Sequence, residues 1–161
     1  MEVICLSGKA PEAIGPIIKE FLRPEIKALF FGDNATDGQV ASLFFFPTTV
    51  IYGLYRESQS EPVGVLFFCN VEQGANASVY LFFFSEASKK QGINIAVCDF
   101  VKKDLIEKCP TLNSLEAVVA NGDPPLEKIL VEMGFERVGI KKGYRKFGGK
   151  DIDIISYYCK L

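Results

Sequence analysis

The chain has 161 residues, 48% of them hydrophobic and 24% charged, a balance that folds rather than staying disordered and a length that fits one domain. Its formal net charge of −2 leaves too little excess cation for a general nucleic-acid grip. It contains no histidine, which excludes a Ser-His-Asp or Cys-His catalytic engine and any histidine-ligated metal.

The cysteines Cys5, Cys69, Cys98, Cys109 and Cys159 are odd in number and form no CxxC pair. They read as free thiols in a reducing compartment rather than as a zinc site, so no metal is expected. The start, Met1 to Gly8, lacks the charged and apolar regions of a signal peptide. Apolar runs such as Val79 to Phe84 are too short to span a bilayer. The expected location is the cytoplasm, with no membrane partner.

Val3 to Leu6 reads as a first strand. Ala10 to Phe21 follows, with Ile14, Ile17, Ile18 and Phe21 at helical spacing. Pro24 opens a second helix through Leu29, broken by Gly32-Asp33-Asn34. Gln39 to Phe46 reads as helix or coil. Then the period shortens. Thr49 to Glu57, Val63 to Val71 and Ser78 to Ser85 read as an antiparallel meander, with turns at Ser58 to Glu61 and Glu72 to Asn76. The unbroken apolar run Val79 to Phe84 predicts a central strand covered on both faces.

Gly92 to Cys109 predicts a long helix, with Ile93, Val97, Val101 and Leu105 on one stripe and Ala96 and Phe100 beside it. Leu115 to Ala120 is an apolar strand. Asp123-Pro124-Pro125 then caps a helix whose buried face is Leu126, Ile129, Leu130 and Met133. Phe135 to Lys141 and Asp153 to Lys160 are the last strands, with Gly148-Gly149 between them. The expected order is β-α-α-β-β-β-α-β-α-β-β in one domain, 1–161. The crossover from Ser78–Ser85 to Leu115–Ala120 makes those two strands parallel. Ligands of such sheets gather at the carboxyl ends of the strands, here the loop Glu86 to Gln91. A helix start behind that loop offers unpaired amides to an anion, and Lys89 and Lys90 add charge.

The stretch Lys89-Lys90-Gln91-Gly92-Ile93-Asn94 resembles the acetyl-CoA loop of the GNAT superfamily of N-acetyltransferases, whose pattern is Arg/Gln-x-x-Gly-x-Gly/Ala. Lys89 and Asn94 depart from that pattern at its first and last positions. Val118-Val119-Ala120-Asn121, the helix after it, Gly134-Phe135 and the close at Tyr157 to Leu161 resemble the second half of the same family. The resemblance implies a mixed α/β (α+β), mostly antiparallel central sheet flanked by helices. It implies that the backbone of Phe82 to Ser85, Phe84 included, pairs with the pantetheine arm of acetyl-CoA. The amides of Gln91, Gly92, Ile93 and Asn94 would hold the pyrophosphate, and Asn121 would bond the arm near the thioester. The acceptor would be an amine, in a small molecule or on a protein N-terminus or lysine, attacking directly.

The family often places a tyrosine, the thiolate's acid, four residues before the Gly-Phe pair; here Leu130 stands there. Without histidine the base must be Glu, Asp, Tyr or water, and the candidates are Glu86 and Tyr80. Two readings stay open at this point: an acyltransferase, or a non-catalytic module of the same fold that binds coenzyme A or a protein. The runs Phe44 to Phe46 and Phe82 to Phe84 read as core filling, or as an acceptor pocket or dimer face. Monomer or symmetric homodimer is the expected assembly.

Overall fold

Helical and extended periods alternate along the chain as β1 (Glu2–Cys5), α1 (Pro11–Phe21), α2 (Pro24–Phe31), α3 (Asp37–Leu43), β2 (Val50–Tyr55), β3 (Gly64–Cys69), β4 (Asn76–Phe83), α4 (Glu86–Gln91), α5 (Ile95–Lys108), β5 (Ser114–Ala120), α6 (Pro124–Glu132), β6 (Glu136–Phe147) and β7 (Lys150–Lys160). These come from a computed structural model that describes residues 1–32, 34–57, 59–71, 76–120, 123–147 and 149–161. The expected turns at Ser58 and at 72–75, together with Asp33, Gly148 and the candidate Asn121, lie outside the described residues.

Among the described residues the strands form one seven-stranded sheet in the order β1-β2-β3-β4-β5-β7-β6. Every pairing is antiparallel except β4 with β5, as a single βαβ crossover requires. Helices α1 to α3 cover one face around Ile14, Ile17, Phe21, Phe44 and Phe67. On the other face Val97, Val101 and Leu105 of α5 and Ile129 and Leu130 of α6 pack on Leu66, Leu81, Leu115 and Tyr157. β4 alternates between the two layers: Val79, Leu81 and Phe83 enter the second, Tyr80, Phe82 and Phe84 the first. That double cover explains its unbroken apolar run.

Two short helices go beyond the expected order. Gln39 to Phe46 resolves into α3, which starts earlier because Thr36 and Gln39 form a reciprocal capping box. The expected loop Glu86 to Gln91 is instead helix α4, capped by Ser85, whose Oγ accepts the Ser88 N–H at 3.1 Å. Gly92 ends α4 at φ +66°, so the long helix begins at Ile95 rather than Gly92. Phe100 is 52% exposed and lies off the buried stripe. The last two strands run longer than expected because β6 absorbs register shifts between Arg137 and Gly139 and between Lys141 and Arg145.

Candidate active site

The two parallel strands start together and then part. Asn76, Ala77, Ser78 and Val79 of β4 face Ser114, Leu115, Glu116 and Ala117 of β5, and the pairing ends there. Beyond that point, among the described residues, Tyr80 to Phe83 pair with β3 alone and Val118 to Ala120 with β7 alone. A wedge therefore opens toward the carboxyl ends of both strands. Phe84 N–H donates to the Val63 carbonyl at 3.0 Å on the β3 side. By alternation along a strand, the backbone groups of Leu81 and Phe83 point the other way, into the wedge.

Four elements meet at its mouth. Ser85 leads β4 into α4, and α4 leans on α6 through Lys89 Nζ, 2.5 Å from Asp123 Oδ2 and 3.9 Å from Glu86 Oε1. Asp123 also caps α6, accepting the Leu126 N–H at 3.3 Å. Arg56 Nη2 donates to the Ser88 carbonyl at 3.3 Å, which ties the end of β2 to α4. Neither the Arg56–Ser88 nor the Lys89–Asp123 contact has a local sequence signal, because both bridge distant parts of the chain.

The residues after α4 are set by two short-range effects. Gly92 has φ +66° and ψ −165°, a conformation that favours glycine. Asn94 caps α5, its Oδ1 accepting the Ala96 N–H at 2.9 Å. Its backbone, at φ −70° and ψ 136°, needs no glycine, which accounts for an asparagine at this position of the loop pattern. Among the described residues the amides of Ile93, Asn94 and Ile95 have no hydrogen-bond acceptor, whereas Gly92 N–H donates to the Lys89 carbonyl. Lys90 is exposed and forms no ion pair with a described residue. Lys89, by contrast, has its charge countered by Asp123.

Tyr80 and Glu86 are not brought together. The Tyr80 ring stacks on Phe67 at 4.9 Å in the first layer, while the Glu86 side chain, 80% exposed, stands on α4. Leu130 is 2% exposed, in the core with Ile129 and Met133. Phe45 and Phe46 are exposed before β2, which runs parallel to β4, so they lie at the end of the sheet away from the wedge. Phe44 fills core against Phe21 at 5.2 Å. Among the described residues no group of three or more Cys, Asp or Glu is placed to hold a metal, and no helix is long and apolar enough to cross a membrane.

Comparison with known proteins bears on this arrangement. No curated protein matches the chain by sequence. In solved structures the same fold recurs at low identity. A spermidine N-acetyltransferase from Vibrio cholerae, in complex with CoA and spermine, superposes with a TM-score of 0.75 at 12% identity, covering 99% of this chain and 94% of that one. A ribosomal-protein-alanine N-acetyltransferase from Brucella melitensis gives 0.70 at 15% identity, covering 100% of both chains. A probable acetyltransferase from Staphylococcus epidermidis gives 0.71 at 12%, covering 99% and 98%. The family model of an acetyltransferase (GNAT) domain matches residues 46–156, more than half of the chain and all of the wedge. The chain belongs to the GNAT family, whose members move an acetyl group from coenzyme A to an amine.

Proposed function

We propose that acetyl-CoA lies across the carboxyl ends of β4 and β5, with its thioester in the wedge. The parting of the strands after Val79 and Ala117 carries this reading. The outward backbone groups of Leu81 and Phe83, within the run that ends Phe82, Phe84 and Ser85, suit the amide-bearing pantetheine arm. The amides of Ile93, Asn94 and Ile95 at the start of α5, beside Gln91 and Gly92, suit the pyrophosphate, and Lys90, which forms no ion pair with a described residue, adds positive charge there. Asn121, which follows β5, is assigned the hydrogen bond to the arm that its place in the family pattern implies.

The acceptor nitrogen, once it has lost its ammonium proton, attacks the thioester carbonyl carbon. An N–C bond forms, the C–S bond breaks, and coenzyme A leaves as a thiolate that takes up a proton. Glu86, exposed at the mouth, is the better candidate to receive the ammonium proton, directly or through water. Tyr80 packs flat on Phe67 and is the weaker one. Leu130 has no proton to give, so solvent protonates the thiolate. Five free thiols among the described residues favour a reducing, cytoplasmic location, and a monomer or simple two-fold dimer is the assembly we assign.

Titration calorimetry with acetyl-CoA, followed by thiol release across a panel of amines, tests the reading. Saturable binding and amine-dependent release are expected, with Glu86→Gln lowering kcat and removing an acid limb from the pH–rate profile. No heat of binding at millimolar acetyl-CoA would overturn it.

A further inference from the structure

The wedge has two faces, and the one toward α1–α3 is built differently from the one beneath α5. On it β4 contributes Tyr80, Phe82 and Phe84, all half-buried, with Phe82 and Phe84 ring centroids 5.8 Å apart. Phe30 of α2 closes on this row, 5.4 Å from Phe82 and 6.4 Å from Tyr80. Across the gap the same face of β5 presents Val118, 48% exposed, and Ala120, which lies opposite Ile154 of β7. One wall is therefore a row of rings and the other a short aliphatic strip.

The open stretch 80–85 and the facing 118–120 contribute no carboxylate. Glu116 sits on this face but at the closed end, where Asn76 Nδ2 donates to its Oε1 at 3.3 Å. Among the described residues of these two strands a second ammonium on an acceptor would find no carboxylate along the open stretch, and desolvating it there is costly. A flat apolar body would instead meet ring edges and faces at favourable spacing.

Resting on the acetyl-transfer reading above, we infer that the acceptor is an arylalkylamine: a primary amine on a short linker from an aromatic ring, the ring held between Phe30, Phe82, Phe84 and Val118. The amine nitrogen reaches the thioester carbon while the ring fills the trough. The N–C bond forms as the C–S bond breaks, and the ammonium proton leaves toward the mouth. Val118 is a specificity-determining residue, because it is the exposed apolar side chain on the wall opposite the rings.

Steady-state kinetics at saturating acetyl-CoA compares 2-phenylethylamine, spermidine and a lysyl peptide. The expected result is a kcat/KM for phenylethylamine at least about tenfold above the other two. Val118→Asp should raise the KM for phenylethylamine by about tenfold, leave the KM for acetyl-CoA unchanged, and raise kcat/KM for spermidine by supplying the missing carboxylate. Val118→Thr, which keeps the shape, serves as the folded control. Preference for spermidine or the peptide in the unchanged chain overturns this inference alone. So does a Val118→Asp protein, folded by its melting curve, that keeps the wild-type KM for phenylethylamine. Acetyl-CoA binding without turnover of any amine overturns the transfer reading and this inference with it.

Discussion

Gly92 and Leu130 show how differently two positions near the wedge are constrained. Among the described residues a Cβ on Gly92 would meet only Ile129 Cδ1, at 4.0 Å, so space permits a side chain. The backbone does not, because φ +66° with ψ −165° is strained for an L residue. Gly92→Ala should cost roughly 1–3 kcal/mol in a denaturant titration. It should also weaken acetyl-CoA binding by calorimetry, since relaxing that strain turns the amides of Ile93 and Asn94. Leu130 is constrained by packing instead. At 2% exposure, Leu130→Ala should cost about 2–5 kcal/mol while activity per folded molecule stays near wild type. A loss of kcat in Leu130→Ala beyond its unfolded fraction would contradict a purely structural role.

At the scale of elements, the mouth of the wedge is held by the contact of α4 with α6. Lys89 and Asp123 are each about three-quarters buried at the side chain, with exposures of 22% and 23%, so their 2.5 Å ion pair is better shielded than a surface one. With acetyl-CoA placed as proposed, the pair would draw Lys89 away from the phosphates and set a carboxylate beside them. Asp123→Asn keeps an oxygen for the Leu126 amide, and so keeps the cap, but removes the charge. Tighter acetyl-CoA binding is expected, by a few-fold at low salt, with the gain shrinking as ionic strength rises. Unchanged or weaker affinity would mean that the pair preorganises the cradle rather than competing with the ligand.

Across the whole molecule, α5 is pinned to the far strands by a polar contact at the edge of an apolar layer. The Tyr52 hydroxyl, fully buried, donates to Asp104 Oδ2 at 2.7 Å, and Lys108 also bonds Asp104. Burial pushes the Tyr52 phenol well up, and its bond to Asp104 adds to that. Burial opposes ionisation of Asp104, yet the hydrogen bonds from Lys108 and Tyr52 outweigh it and hold the carboxyl below the usual carboxylate range. A depressed carboxylate pKa contributes stability above the unfolded value of about 4, lost as pH falls through the folded value. Thermal unfolding should therefore show a melting temperature that drops below about pH 4. Asp104→Asn should flatten that limb while lowering the plateau at neutral pH; an unaltered limb would place the acid sensitivity elsewhere.

Much of this fold was legible in local pattern, and the reason is physical. Helix and strand periods, proline starts, the Asp123 cap and the doubly covered run of β4 are all decided within a few residues, so the longer elements, their order and the position of the wedge's strands could be read directly. Helices α3 and α4 were harder: each is a single capped stretch too short for periodicity, and the capping bonds of Thr36 and Ser85 fix as helix a segment read as helix or coil in one case and as loop in the other. The candidate site could be proposed from a motif but not from a geometry. The loop pattern pointed to 91–94, while the pairing of Lys89 with Asp123 and the anchoring of Ser88 by Arg56 join residues more than thirty positions apart and exist only once the sheet has brought them together. The same holds for the parting of β4 from β5 after Val79 and Ala117. Strand propensity is as high after those residues as before them. What permits the split is that each strand is already paired on its other side, β4 with β3 and β5 with β7, so the sheet can open between them without undoing either ladder.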